Sequence, residues 1–323
     1  MHLTKRLSAL GLIAILAVAC TGPGASSSNL TSIAPSSVAP SVAPSPSTSD
    51  APSASASVAP SASADACQDL RLVTDGKLTV GTDNPAYPPY FGGEPPADGS
   101  WEVSDPNSGQ GFESAVAYAL AETLGFAKED VVWVVVPFAT SYAPGPKTFD
   151  FDINQVSFTA ERTGTADLSD GYYFGNQSLV TLKGNAFEGA RTIGELKAAR
   201  LGAQSGTTSY DFITTTIAPT TDPSVYDTND VAIEALKAKQ IDGIVVDLPT
   251  AQFITNVQIE NGVLVGQFET GSGDQEHFSL VLAKDSPLTT CANDAIAALS
   301  EDGTLERLVE EWLPDKDVPT ITP

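Results

Sequence analysis

The chain has 323 residues, with 40 acidic against 16 basic side chains and a net charge of −24 at pH 7. A surface this acidic repels nucleic acid and anionic lipid headgroups, which argues against both as partners. With two histidines and three cysteines no Cys/His group has zinc spacing, and no glycine-rich loop carries a phosphate-binding lysine, so neither a metal nor a cofactor is expected.

Lys5 and Arg6 precede an apolar run over 7–18 that is too short to cross a bilayer and ends in small residues. This is the pattern of an export signal. Its end, Leu16-Ala17-Val18-Ala19-Cys20, resembles the bacterial lipoprotein lipobox, departing at Ala17, where that pattern prefers leucine. The resemblance implies a signal peptide over 1–19 and a lipid on Cys20; the alternative is an ordinary signal cleaved after Ala19. Residues 20–65 are almost entirely Ser, Ala, Pro and Thr, with near-repeats SIAP and SVAP. Such a segment cannot bury enough apolar surface to offset its conformational entropy and reads as a disordered tether, about 35–40 Å long if coil-like.

The remainder is large enough for two lobes. With Cys20 assigned to the lipid, Cys67 and Cys291 form an even pair in an exported protein, where disulfides persist. They are expected to be bridged, against the alternative of two buried thiols.

In chain order, 77–81 reads as a short strand followed by the proline-stiffened aromatic loop TDNPAYPPYF. In GFESAVAYALAETLGF the apolar residues Phe112, Val116, Leu120 and Leu124 stand four apart ahead of Gly125, predicting an amphipathic helix. The run 131–136 is continuously apolar and bounded by Pro137, predicting a strand buried on both faces. Strand, helix, strand in this order predicts a parallel sheet with right-handed crossovers. Phe149, Phe151 and Ile153 alternate with Asp150, Asp152 and Asn154, the period of a strand with one buried face. Beyond it, Arg162 stands where an open α/β sheet binds ligands; it either grips a carboxylate or pairs with Glu161 or Asp167 on the surface.

The pattern restarts after Gly184. Thr192 and Glu195 make a capping box on a short helix. Residues 201–204 form a strand entering Ser205-Gly206-Thr207-Thr208-Ser209, which is either an anion cradle at a helix N-terminus or a hydroxyl-rich cap. A helix over 231–239 and a buried strand over 241–248 follow. Asp247, at the end of that strand, is placed either for a ligand ammonium or as an N-cap. A strand over 277–283 leads to helices near 294–299 and 304–312, the latter with Asp302 as its N-cap. Tyr87 and Tyr90 are candidates for stacking on a ligand or for loop packing. His277 reads as structural rather than catalytic, and the scattered acids give no support to paired-carboxylate hydrolysis.

The order of TDNPAYPPYF, GFESAVAYALAETLG, SFTAER with LSDGYYF, GAQSGTTSYDF and GIVVDLPTA resembles the family 3 solute-binding proteins, the polar-amino-acid receptors of ABC importers. The likeness covers about residues 76–313. It implies an α/β, periplasmic-binding-protein-like type II fold of two lobes joined by two crossing strands. Lobe 1 is expected over 66–178 and 278–323 and lobe 2 over 179–277, with crossings near 175–181 and 274–280. It implies that Arg162 holds a ligand α-carboxylate with Thr208 and Thr207, and that Asp247 takes the α-ammonium, helped by Asn154, Gln155 and Ser157. Tyr87 would lie over the ligand and Phe138 would form a pocket wall. Many members have small hydroxyl residues where this chain has Asn154 and Gln155.

The function so implied is capture of a free, polar amino acid by hinge closure. The protein would be a monomer, not an enzyme, lipid-anchored on the outer face of the cell membrane and delivering to ABC permease subunits. Two other readings stay open: a cyclohexadienyl dehydratase-like lyase on the same fold, and a ligand-free structural lipoprotein.

Overall fold

The computed structural model describes Cys67 and residues 70–269, 275–313 and 317–323. The export signal, Cys20 and the 20–65 segment lie outside the described residues.

Among the described residues the chain forms two mixed sheets. The first contains β1 (Leu78–Thr82), β2 (Val131–Val135), β3 (Phe151–Asp152), β4 (Asp167–Phe174) and β10 (His277–Leu282), in the order β2-β1-β3-β10-β4. The second contains β5 (Gln177–Leu182), β6 (Leu201–Gln204), β7 (Ser224–Tyr226), β8 (Gly243–Asp247), β9 (Gly262–Phe268) and β11 (Thr320–Ile321), in the order β11-β9-β5-β8-β6-β7. The helices are α1 (Phe112–Thr123), α2 (Phe138–Ser141), α3 (Thr208–Phe212), α4 (Asn229–Lys237), α5 (Leu248–Phe253), α6 (Leu288–Glu301) and α7 (Thr304–Trp312). The two-lobed type II periplasmic-binding-protein fold expected from the sequence is present.

Several local expectations change. The sheets are not purely parallel: β10 runs antiparallel to β3 and β4, and β5 antiparallel to β8 and β9. Strands that enter a lobe from the other one arrive in the opposite direction, which a strand-helix-strand reading of each unit does not reveal. β2 is an edge strand with Val132 41% and Val135 49% exposed, so its unbroken apolar run is buried on one face only. Around β3 the outcome is the reverse, because Asp150, Asp152 and Asn154 are buried as well. The Asp150 carboxylate accepts the Val73 N–H at 2.8 Å and the Thr79 N–H at 2.6 Å, which satisfies it inside the fold. The N-cap of α7 is Gly303 rather than Asp302, whose carboxylate accepts the Thr304 N–H at 2.8 Å.

The chain passes between the sheets at Gly175-Asn176 and again between β9 and β10. It passes a third time after α7. β11 pairs parallel to β9, Ile193 N–H donates to Thr322 O at 2.9 Å, and Ile321 is fully buried in the second lobe's core. The last residues therefore lie with the second sheet, whereas the family resemblance places all of 278–323 in lobe 1. α6 and α7 do pack on lobe 1, with Leu288, Ile296, Leu305 and Leu308 in the same cluster as Leu78, Phe112 and Leu120. Cys67 and Cys291 are bridged beside them, Cα–Cα 5.7 Å.

The start of α1 is tied to the aromatic loop. Phe112 and Glu113 donate their N–H groups to the carbonyls of Pro89 and Tyr90, both at 2.9 Å, so the loop backbone satisfies donors that a helix N-terminus leaves open. Gly111 permits this approach: its φ is +89°, and a Cβ there would stand 2.5 Å from Phe91 Cα. The packing carries Glu113 into the core, where it is 0% exposed. Burial raises its pKa from 4.5 to about 7, against hydrogen bonds from Tyr172 and Gln155 that lower it. Asp152 is also 0% exposed; burial, then Glu113 and Asp83, push its carboxyl far up, with Lys147 and Ser141 opposing.

Replacing both members of the bridge, Cys67→Ser with Cys291→Ser, is expected to cost about 2–5 kcal/mol in urea unfolding; an unchanged midpoint contradicts a stabilising bridge. A second expectation concerns pH. The unfolded chain ionises Glu113 near 4.5 and the folded chain holds the proton to about 7. Its stabilising contribution is therefore full below the lower value and is lost as pH rises through the upper one. Glu113→Gln is permanently neutral, so between those two pH values its unfolding free energy should fall by roughly 3 kcal/mol less than that of the parent. Parallel stability curves for the two proteins would contradict this.

Candidate functional site

β1, β3, β6 and β8 all end at the gap between the lobes, the place where open α/β sheets present ligand-binding loops. The gap encloses a cavity of about 590 Å³. Every ligand-site residue expected from the sequence lines it: Tyr87, Phe138, Asn154, Gln155, Ser157 and Arg162 from lobe 1, and Thr207, Thr208 and Asp247 from lobe 2.

Arg162 is 7% exposed, and among the described residues it makes no ion pair. Its two terminal nitrogens donate to the carbonyls of Ser157 in its own lobe and Gly206 across the gap, the latter at 2.7 Å. The guanidinium also lies 4.6 Å from the centre of the Tyr142 ring. The surface alternative fails at both partners: Arg162 is buried, and Asp167 instead takes Lys284 Nζ at 3.1 Å and the Thr289 hydroxyl at 2.9 Å. Neutral carbonyls orient the guanidinium without cancelling its charge.

Asp247 realises one alternative and leaves the other open. It N-caps α5, accepting the Thr250 N–H at 3.0 Å and the Thr250 hydroxyl at 2.9 Å. It also accepts the Tyr90 hydroxyl from the opposite lobe. Burial raises its pKa, while the bonds from Tyr90 and Thr250 favour the charged form.

The hydroxyls of the 205–209 turn are largely committed. Thr207 caps α3 and donates to Gln204 O at 2.8 Å. Thr208 lies 2.5 Å from Glu276 Oε1 and 3.2 Å from Ser157 Oγ. Gln177 Nε2 reaches both oxygens of Glu276 at 3.0 Å, and Ser209 donates to Gln177 Oε1 at 2.7 Å. Glu276 and Gln177 belong to the two crossings, so this network joins the α3 turn to the crossing strands.

Tyr87 donates to Asp230 Oδ2 at 2.8 Å across the gap and lies against Phe253, centroids 6.0 Å apart. Phe138 opens α2, its N–H on Asp83 Oδ2 at 3.1 Å. Asn154 is 5% exposed, and its amide nitrogen is a buried donor without a partner among the described residues. Gln155 is held on Glu113 through both its backbone N–H, at 2.7 Å, and its side-chain amide.

Sequence reasoning missed Asp230, Glu276, Gln177 and Glu113. Glu113 carried a signal, an acid in the apolar first turn of α1. The others act through partners distant in sequence and have none. Among the described residues no cluster of three metal-ligating side chains occurs, and no helix is long and apolar enough to cross a membrane.

Comparison with known proteins gives this geometry its context. The chain is 30% identical over 241 residues to the L-cystine-binding protein TcyJ of Escherichia coli K12, covering 73% of this chain and 82% of that protein. It is 27% identical over 173 residues to ABC transporter arginine-binding protein 1 of the same strain, covering 52% and 68%. Among solved structures, an ancestral arginine-binding protein bound to arginine superposes with a TM-score of 0.57 at 26% identity, covering 73% of this chain and 98% of that one. The ancestral amino acid-binding protein AncCDT-1, a precursor of cyclohexadienyl dehydratase, superposes at 0.57 and 25% identity, covering 73% and 95%. Residues 78–315 match the profile of the bacterial extracellular solute-binding proteins, family 3, and the chain belongs to that family.

Proposed function

We propose that the chain captures a free amino acid between its lobes and delivers it to the permease subunits of an ABC importer. The observation that carries this reading is a buried, ion-pair-free guanidinium, Arg162, facing the same cavity as the Asp247 carboxylate from the opposite lobe. A zwitterion fits that pair: its carboxylate on Arg162, where a planar fork favours bidentate contact, and its ammonium on Asp247. The unpartnered Asn154 amide supplies one more donor. Among the described residues the lining holds Asp83, Asp227 and Asp230 beyond Asp247, against Arg162 alone among cations. That surplus of acceptors supports a polar side chain rich in donors. The names of the relatives, cystine- and arginine-binding proteins, are consistent with it.

Closure follows from where the contacts lie. Charge-assisted hydrogen bonds contribute about 1.5–3 kcal/mol each, and those to the far lobe exist only when the gap is shut. Moving an open–closed balance from 1:99 to 99:1 takes about 5.5 kcal/mol of differential affinity, which two or three such bonds supply. Tyr87–Asp230, Tyr90–Asp247 and Arg162–Gly206 O already join the lobes, so less of the closed arrangement must be built by the ligand. In this reading a lipid on Cys20 holds the monomeric receptor on the outer face of the membrane. Binding rather than turnover is its activity.

Titration calorimetry against the twenty amino acids should show saturable heat with at least one. Arg162→Ala and Asp247→Asn should each weaken that binding by at least about 100-fold, as removal of one partner of a buried charged contact does. No heat with any amino acid, or an Arg162→Ala protein that binds like its parent, overturns the assignment. Turnover of prephenate or arogenate would favour the enzyme reading instead.

A further inference from the structure

Beneath the cavity floor a single buried carboxylate governs one residue that faces the ligand space. Glu113, on α1, places Oε1 2.7 Å from the Gln155 N–H and 2.5 Å from the Tyr172 hydroxyl, while Oε2 receives the Gln155 side-chain amide. Gln155 has φ +49°, a left-handed conformation that is strained for a residue with a Cβ. Both its polar arms end on the same carboxylate, which holds it there.

An amide has one donating end and one accepting end. A carboxylate accepts only, so it takes the NH₂ end and leaves Gln155 Oε1 for the cavity that this side chain lines. A protonated carboxyl can donate, and then the opposite end of the amide is held.

We propose that Glu113 is a positioning residue that sets the hydrogen-bonding polarity of Gln155 toward the ligand. Ionised, it turns the amide oxygen to the cavity; protonated, it turns the NH₂ group there. On the amino acid reading, the first state adds an acceptor for ligand ammonium or amide donors. The second removes that acceptor and places a donor in its stead, so the receptor's preference among ligands follows external pH.

The groups facing Glu113 are all acidic or neutral: Tyr172 on β4, Asp152 on β3 and, across the gap, Asp247. The positive charge of Lys147 acts on Asp152 against its acidic neighbours. Burial among acids brings the Glu113 titration to about 7, inside the range that an envelope protein meets.

The test is independent of any ligand. In the ¹⁵N-labelled full chain, the side-chain NH₂ pair of Gln155, identified by its loss in Gln155→Leu, is followed from about pH 5 to pH 9. It should titrate with a midpoint of about 7. In Glu113→Gln the titration should vanish, and in Tyr172→Phe, which removes a bond to the carboxylate, the midpoint should rise by about one unit. A pair that stays flat in the parent overturns the proposal even if Glu113→Gln does not fold; so does a titration that persists unchanged in that variant. L-Arginine and L-glutamine are then titrated into the parent at both ends of the range. Absence of binding by these two and by the other eighteen amino acids would sink the receptor reading and leave the amide switch standing. Binding of both probes with an unchanged preference would sink the switch's role in selection.

Discussion

Arg162 imposes the constraint from which the rest of the cleft follows. A guanidinium cannot discharge itself at any accessible pH, so once buried it must be compensated by geometry. An internal carboxylate would do this fully and leave nothing for a ligand. The fold instead offers carbonyls, one from Ser157 in the same lobe and one from Gly206 in the other. These satisfy hydrogen bonds without neutralising charge, so the site keeps a positive end while the two lobes are held in register. The Tyr142 ring covers the cation's face, and its hydroxyl donates to Gly206 O at 3.2 Å. One carbonyl of the 205–209 turn thereby anchors two lobe 1 side chains.

The negative end is arranged by the same logic with opposite signs. Asp247 is held by the first turn of α5 and by Tyr90 from across the gap. Those contacts favour its charged form against the desolvation that burial brings. The cap and binding alternatives weighed for this residue are not in conflict, because the N-capping interaction fixes the side chain at the mouth of the strand where a ligand would meet it. The turn containing Thr207 and Thr208 differs. Its hydroxyls are occupied by its own helix and by Glu276, so it acts first as a brace between lobe 2 and the crossing strands.

How much of this the sequence reveals depends on the range of the interaction. A residue at the end of a strand declares itself, since an apolar run ending in Asp is legible locally and places Asp247; Arg162 stands ten residues past β3, where its own setting leaves carboxylate grip and surface pairing open, and the motif order implied its role and indicated the fold. Alternation misled at β3 because Asp150 satisfies itself on backbone N–H groups and needs no solvent face. Continuous hydrophobicity misled at β2 because a strand's own sequence does not say whether it has a neighbour on both sides. The return of 317–323 to the second lobe rests on short pairings, β11 with β9 and Thr322 with Arg191 and Ile193, and on the burial of Ile321, too brief to leave a periodic signal. Glu276 and Asp230 meet Thr208 and Tyr87 only after folding brings distant segments together.

The acids under lobe 1 complete the picture of a binding site shaped by charge imbalance. Glu113, Asp152 and Asp83 crowd one side of the cleft floor, with Lys147 as the cation that Asp152 meets. A cluster like this has a stability cost at neutral pH, and an apolar set of the same shape would avoid it. What Asp83 and the ionised fraction of Glu113 supply is a negative field under a cavity whose lining, among the described residues, holds one cation; Asp152, pushed toward its neutral form by burial and its acidic neighbours, adds little. That field opposes a ligand bearing net negative charge and favours the ammonium end of a zwitterion. It also places the nearest titration, that of Glu113, directly behind Gln155. Gln155 is thus the residue whose polarity the buried acid dictates. Selectivity at this position is a property of the pair, and neither Gln155 nor Glu113 could be exchanged alone without altering what the cleft presents.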